Sequence, residues 1–90
     1  MDIHEIRKRI DELDEDLLRI FNERSALAVQ IGEIKKELGL PIYDSGREMA
    51  IFERLRKMNR GPLDDQAIVR LFERVIDESR HLERIHSGKK

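Results

Sequence analysis

A heptad pattern of aliphatic residues runs through the first 38 residues of the chain and constrains the fold more than any other feature. When position a is placed at residue 3, ten of the eleven a and d positions are aliphatic: Ile3, Ile6, Ile10, Leu13, Leu17, Ile20, Leu27, Ile31, Ile34 and Leu38. The pattern predicts one helix of about 36 residues and about 54 Å. Because the rest of the chain is too short to cover such a helix, we expect it to pack against a second copy of itself.

Glycine and proline residues divide the remaining chain into two further helices. Gly39 can end the first helix in a left-handed conformation, and Pro41 cannot continue it. Either Asp44 or Ser45 can cap the second helix, and Pro62 follows its end. We therefore expect an all-α chain with one long, one short and one medium helix, over residues 3–38, about 45–59 and about 64–86.

The composition narrows the class of protein. The chain has 90 residues, enough for the single domain that we expect over residues 1–90, and its 18 basic and 19 acidic side chains nearly cancel. This balance gives no reason to expect nucleic acid or an anionic membrane as partner. The absence of cysteine excludes disulfides, thiol nucleophiles and cysteine-based metal sites. No apolar run is long enough for a membrane span or a signal peptide, so we expect a cytoplasmic protein.

Charged residues interrupt the apolar pattern of the long helix at particular positions. Arg24 occupies the one a position that is not aliphatic, where it either sets the register or belongs to a site. Lys35 lies three turns later, about 16 Å along the helix, so the two cationic heads can close on a small anion. Taken alone, a lysine at an e position is more often solvated, which is the alternative for Lys35. Arg7 lies about 42 Å from Lys35, and in an antiparallel pair centred near residue 18 it would lie between Arg24 and Lys35 of the partner.

The two shorter helices carry polar residues on the faces that are expected to be buried. On the second helix these are Arg47 and Glu48, for which a capping box and a first-turn charge pair are the alternative. On the third helix Ser79 continues the apolar stripe and Glu83 follows one turn later. A satisfied hydroxyl and a solvated carboxylate are the alternatives there. The histidines, at 4, 81 and 86, have no second ligand at metal-binding spacing, so no metal site is expected.

The chain resembles the all-helical (AroQ-type) chorismate mutases over essentially its full length. Four stretches carry the resemblance: IRKRIDELD at residues 6–14, ER at 23–24 with LAV and IG before Lys35, PIYDSGRE at 41–48, and LF with IDES at 71–79. The resemblance implies an intertwined homodimer whose long helices cross antiparallel. It also implies the [3,3] rearrangement of chorismate to prephenate, the entry to phenylalanine and tyrosine, with no cofactor. Since the sequence starts at Met1 and ends soon after the third helix, we expect the monofunctional form, with possible association with another enzyme of the pathway.

The resemblance also implies a role for each polar residue. Arg24 and the partner subunit's Arg7 would hold the two carboxylates of the substrate, with help from Ser79. Lys35 and Glu83 would donate to the ether oxygen of the breaking bond. Glu48 would accept a hydrogen bond from the ring hydroxyl, with the backbone of Asp44 nearby, and Arg47 would help to line the pocket. Many relatives carry glutamine at position 83; because a carboxylate cannot donate a hydrogen bond, we expect activity to rise toward acidic pH.

Three other functions fit parts of the sequence. The lyase branch of the same fold, which removes pyruvate from isochorismate, would use the same cationic clamp. A regulatory module would bind chorismate or prephenate without turning it over. A coiled-coil adaptor would explain the heptads but leave the polar residues as coincidences. The arrangement of Asp44, Arg47 and Glu48 favours the mutase branch.

Overall fold

The computed structural model describes residues 1–88, which form three α-helices joined by short loops. The helices are α1 (Ile3–Leu38), α2 (Ser45–Met58) and α3 (Asp65–His86). The all-α fold with one long, one short and one medium helix is therefore confirmed. The chain is elongated, with principal extents of 54 × 25 × 17 Å, because α1 alone sets the longest dimension.

Local capping explains where each helix begins and ends. At the start of α2 the cap is Asp44 rather than Ser45, and its carboxylate accepts a hydrogen bond from the Arg47 backbone N–H at 3.0 Å. The other two helices also begin after an aspartate, Asp2 and Asp64. Gly39 ends α1 with φ of 67°, the left-handed conformation expected of it. These caps satisfy backbone groups that the helices leave unpaired at their ends.

The core lies where α3 packs against the C-terminal half of α1 and against α2. Its buried apolar side chains are few: Ala28, Ile42, Ile51 and Ile76. None of the large side chains within residues 1–88 is completely buried. The single chain therefore has a thin core, as expected for its length.

The N-terminal part of α1 is not covered by the rest of the chain. Every residue from 1 to 23 is exposed, and its a and d side chains keep about half of their surface, such as Ile10 at 48% and Leu17 at 46%. Charged residues alternate with these apolar ones, and no helix within residues 1–88 is long and apolar enough to cross a membrane. The apolar stripe of α1 is an exposed surface of the single chain.

Candidate active site

A cavity of about 410 Å³ lies between the three helices, beside the loop that joins α1 to α2. Seven of the eight predicted site residues line it: Arg24, Lys35, Asp44, Arg47, Glu48, Ser79 and Glu83. They come from positions 24 to 83 of the sequence, and the fold brings them to one place. Arg7 does not line the cavity and lies on the exposed part of α1, about 42 Å along the helix from Lys35.

A nearly buried ion pair forms one wall of the cavity. The Lys35 ammonium lies 2.6 Å from Glu83 Oε1, and the side chains keep only 15% and 12% of their surface exposed. Lys35 Nζ also donates to the carbonyl oxygen of Ile42 at 2.8 Å. An ammonium has three donors, so one remains for an oxygen atom in the cavity. Lys35 is not the solvated lysine that its heptad position alone permits, and Glu83 is not a solvated carboxylate.

Gly32 allows this wall to form because it lets α1 and α3 approach closely. A Cβ atom at position 32 would lie 2.8 Å from the carbonyl oxygen of Glu83 and 2.9 Å from its Cα. Gly32 is buried and lies one turn before Lys35. The absence of a side chain at this position thus sets the distance between the helices at the height of the ion pair.

A second wall carries Arg24 and Ser79. Arg24 Nη1 donates to Ser79 Oγ, which in turn donates to the carbonyl oxygen of Val75 at 3.1 Å. Burial lowers the pKa of Arg24, the positive charge of Arg47 lowers it further, and Glu83 acts in the opposite direction. A bound anion would stabilise the charged form of Arg24, because it would compensate for the hydration that the guanidinium loses on burial.

The start of α2 provides the third wall. Asp44 and Arg47 line its outer part, where the Asp44 carboxylate is engaged as the helix cap. Glu48 lies deeper, with 19% of its side chain exposed, and does not form the capping box that its spacing permits. Its carboxylate instead faces Arg80 of α3, with Oε2 at 3.1 Å from Arg80 Nε.

Arg80 is a residue of the cavity that the sequence analysis missed. Besides Glu48, it contacts the carboxylate of Asp77, and its guanidinium lies over the ring of Tyr43, 5.4 Å from the ring centroid. The signal was present, because residue 80 lies one turn after Ile76 on the apolar stripe of α3. A polar side chain at such a position was considered for Ser79 and Glu83 but not for Arg80.

The charges of the cavity favour an anionic ligand. Four cations line it, Arg24, Lys35, Arg47 and Arg80, against three carboxylates. Two of the carboxylates are paired with Lys35 and Arg80, which leaves Arg24 and Arg47 as the cations available to a ligand. Within residues 1–88, no three histidine or acidic side chains come together in a metal-binding cluster. The arrangement suits a small polyanion, to which it offers hydrogen-bond donors together with carboxylate acceptors.

Comparison with known proteins relates the chain to the chorismate mutases. The family model described as chorismate mutase type II matches residues 6–84. A curated chorismate mutase from Methanocaldococcus jannaschii is 38% identical over 81 residues, which cover 89% of this chain and 82% of that protein. The bifunctional chorismate mutase/prephenate dehydratase of Aquifex aeolicus is 39% identical over 92% of this chain, which spans only 24% of that longer protein.

A solved structure supports the same relationship. The crystal structure of chorismate mutase from Helicobacter pylori in complex with prephenate matches with a TM-score of 0.87 and 27% sequence identity. The match covers 98% of this chain and 96% of that one. The similarity of the fold therefore extends over all three helices.

Proposed function

Because this chain belongs to the type II chorismate mutase family, we propose that it catalyses the rearrangement of chorismate to prephenate in the cavity between its helices. The observation that carries the proposal is the meeting of Arg24, Lys35 and Glu48 in one cavity of a chain from this family. In this reaction the ether C–O bond breaks while a C–C bond forms to the ring, so the side chain migrates within one molecule and no second substrate or cofactor is required. The protein contributes by holding the substrate and by stabilising the charge that develops.

The first contribution is to hold the dianion in its reactive conformation. Arg24 is fixed by Ser79 and is suited to bind one carboxylate through two parallel hydrogen bonds. The partner's Arg7 would bind the other carboxylate, and Arg47 at the rim adds positive charge. Clamping both ends of a flexible substrate with its reacting atoms in contact lowers the entropic part of the barrier.

The second contribution is made at the ether oxygen, where negative charge grows as the C–O bond lengthens. The free donor of Lys35 is aimed into the cavity by the two hydrogen bonds that hold its other donors. A donor that is fixed before the reaction stabilises the developing charge without reorganising. Glu83 would donate a second hydrogen bond to the same oxygen when it is protonated.

The third contribution is recognition of the ring hydroxyl. Glu48 is the acceptor that we assign to it, because its carboxylate lies deep in the cavity and keeps lone pairs besides those that face Arg80. Such a carboxylate favours a ring that carries the hydroxyl. A ring without it would bury the carboxylate with no hydrogen-bond donor from the ligand, which costs binding free energy.

The exposed stripe of α1 supports a homodimer in which two long helices cross antiparallel. Its aliphatic side chains would be buried by the same stripe of a second chain, and a two-fold axis near residue 18 would bring Arg7 to the partner's cavity. Each dimer would then have two equivalent sites. The relative from Aquifex aeolicus combines a chorismate mutase with a prephenate dehydratase in one protein, which supports association of this chain with a second enzyme of the pathway.

The test is to incubate purified protein with chorismate and to follow both loss of chorismate and formation of prephenate. We expect turnover by the wild type and its loss in Arg24→Ala. Isochorismate is tested in parallel, and release of pyruvate from it without turnover of chorismate would replace the proposal by the lyase. Binding of prephenate with no turnover of either substrate would indicate a regulatory protein.

A further inference from the structure

Arg80 is a charged residue of α3 that the proposed mechanism does not use. Its side chain keeps 27% of its surface exposed and lies on the inward side of the helix, next to Ser79 and one turn before Glu83. Burying most of an arginine is unfavourable unless its charge and its donors are matched. The contacts of Arg80 are therefore informative about its role.

Arg80 contacts both oxygens of the Glu48 carboxylate. Its Nη2 donates to Oε1 at 3.4 Å, and its Nε lies 3.1 Å from Oε2 in an ion-pair contact that lacks hydrogen-bond geometry. One hydrogen bond and one ion-pair contact, made by two nitrogens of a planar guanidinium to the two oxygens, restrict rotation of the carboxylate as well as its position. Each carboxylate oxygen has two lone pairs, so Glu48 can still accept a hydrogen bond from the cavity side.

Arg80 is itself held on two further sides. Nη2 donates to the Asp77 carboxylate at 2.8 Å, one turn earlier on α3. The ring of Tyr43, from the loop before α2, lies against the guanidinium at 5.4 Å from its centroid. The guanidinium is thus held in place by contacts from α3 and from the loop. Because it is fixed, its contacts with Glu48 also fix the position of that carboxylate on α2.

We infer that Arg80 is a positioning residue, which fixes the Glu48 carboxylate to accept the ring hydroxyl of the substrate. The inference rests on the proposed function and adds a residue to it. It has a second consequence, because a free carboxylate in the cavity would repel the dianionic substrate. The positive guanidinium of Arg80, whose Nε lies 3.1 Å from Glu48 Oε2, offsets the negative charge of Glu48. Glu48 can therefore face an anionic substrate with less repulsion.

The experiment compares Arg80→Leu, Arg80→Lys and the control Arg70→Leu, each in the wild type and in Glu48→Gln. Arg70 is exposed on the same helix and does not line the cavity. In the wild-type background we expect Arg80→Leu to lower kcat/KM by about tenfold or more, as misplacement of a binding group does. Arg80→Lys keeps the charge but not the two contacts with Glu48, so its kcat/KM should lie between those of the wild type and Arg80→Leu. Arg70→Leu should match the parent.

The Glu48→Gln background separates positioning from a general loss of structure. If Arg80 acts through Glu48, its replacement should cost less than about twofold once Glu48 is changed, since the two losses are then not additive. Equal losses in both backgrounds would overturn the inference, and so would full activity of Arg80→Lys or wild-type activity of Arg80→Leu. Thermal unfolding checks each variant. Should Arg80→Leu fail to fold, Asp77→Asn takes its place, because it removes one contact that holds Arg80. Its kcat/KM should fall by less than that expected for Arg80→Leu, and this fall should disappear in the Glu48→Gln background.

Prephenate affinity, measured by calorimetry, distinguishes failure of the inference from failure of the proposed function. A wild type that neither turns over chorismate nor binds prephenate would overturn the proposed function, and the inference with it. A wild type that turns over chorismate while the Arg80 variants behave like Arg70→Leu would overturn the inference alone.

Discussion

Gly32 of α1 lies against the backbone of Glu83 of α3 so closely that a Cβ atom would stand 2.8 Å from the Glu83 carbonyl oxygen. The neighbour is main chain rather than the end of a flexible side chain, so it cannot move without displacing α3. Because Glu83 also pairs with Lys35, this contact connects the packing of the helices to the geometry of the cavity.

Gly32→Ala should therefore lower both stability and activity. Replacing a helical glycine with alanine normally stabilises by up to about 1 kcal/mol. Here the steric overlap should outweigh that gain, since overpacking costs about 1–3 kcal/mol. Gly46→Ala, in the first turn of α2, is the control because its Cβ would meet only the Asp44 carboxylate at an ordinary 3.6 Å. The free energy of unfolding of both variants is measured by chemical denaturation. A Gly32→Ala protein as stable as Gly46→Ala would contradict the predicted overlap with α3.

Lys35→Met should remove most of the turnover while substrate binding changes less. Loss of one preorganised donor to a developing charge costs about 10²–10³ in kcat. Lys36→Met is the matched control, since Lys36 is the next residue, is exposed and does not line the cavity. Steady-state kinetics with chorismate measures both. A fall in affinity with kcat intact would mean that Lys35 binds substrate rather than acting on the ether oxygen.

Glu83→Gln should change how activity depends on pH. The ionised carboxylate, which is paired with Lys35, only accepts hydrogen bonds, whereas the neutral acid donates one. The wild-type rate should therefore rise as the pH is lowered across the interval in which the protein stays folded. Glutamine donates at every pH, so the profile of the variant should be flat over the same interval. The measurement is kcat against pH for both proteins. Identical profiles would show that protonation of Glu83 does not control the reaction.

Arg24→Leu should abolish activity without lowering thermal stability. Burial and the charge of Arg47 both disfavour the ionised guanidinium, as the lowered pKa of Arg24 indicates. Removing that charge should leave the folded state as stable as before or more so. Arg19→Leu, at an outward position of the same helix, should retain activity, since Arg19 has 59% of its side chain exposed. A marked drop in the melting temperature of Arg24→Leu would assign the residue a structural role.

Mixing two inactive variants tests whether the sites are shared between subunits. Arg7→Ala and Arg24→Ala homodimers should each be inactive. A heterodimer of the two has one site with both arginines intact, and random exchange makes about half of the dimers heterodimers. The mixture should therefore recover about one quarter of the wild-type activity after unfolding and refolding together. No recovery, with dimers present by light scattering, would place Arg7 outside the site.

The features that could be predicted from the sequence are those encoded locally. The length of α1 follows from its heptads, and its end at Gly39 follows from the left-handed conformation that glycine adopts there. Arg24 and Glu48 were singled out because each interrupts a periodic apolar face. The resemblance then supplied expectations for their roles, which the kinetic experiments above address.

The features that were missed depend on contacts between distant parts of the chain. Arg80 interacts with Glu48, 32 residues away, and no local periodicity indicates which carboxylate an arginine will meet. The choice between a solvated and a buried Lys35 was likewise decided by Glu83, 48 residues away. Gly32 was noticed as part of a motif, but its role as the closest approach of two helices required the three-dimensional packing.

The exposed apolar stripe of α1 has a consequence for the way this protein responds to dilution. A chain with so few buried side chains has little to hold it folded when it is alone, so folding and assembly of the proposed homodimer are expected to be one equilibrium. Its melting temperature should then rise with protein concentration, and specific activity should fall once the concentration drops below the dissociation constant. The amount of active enzyme in a cell would depend on mass action, rising faster than in proportion to the number of chains made.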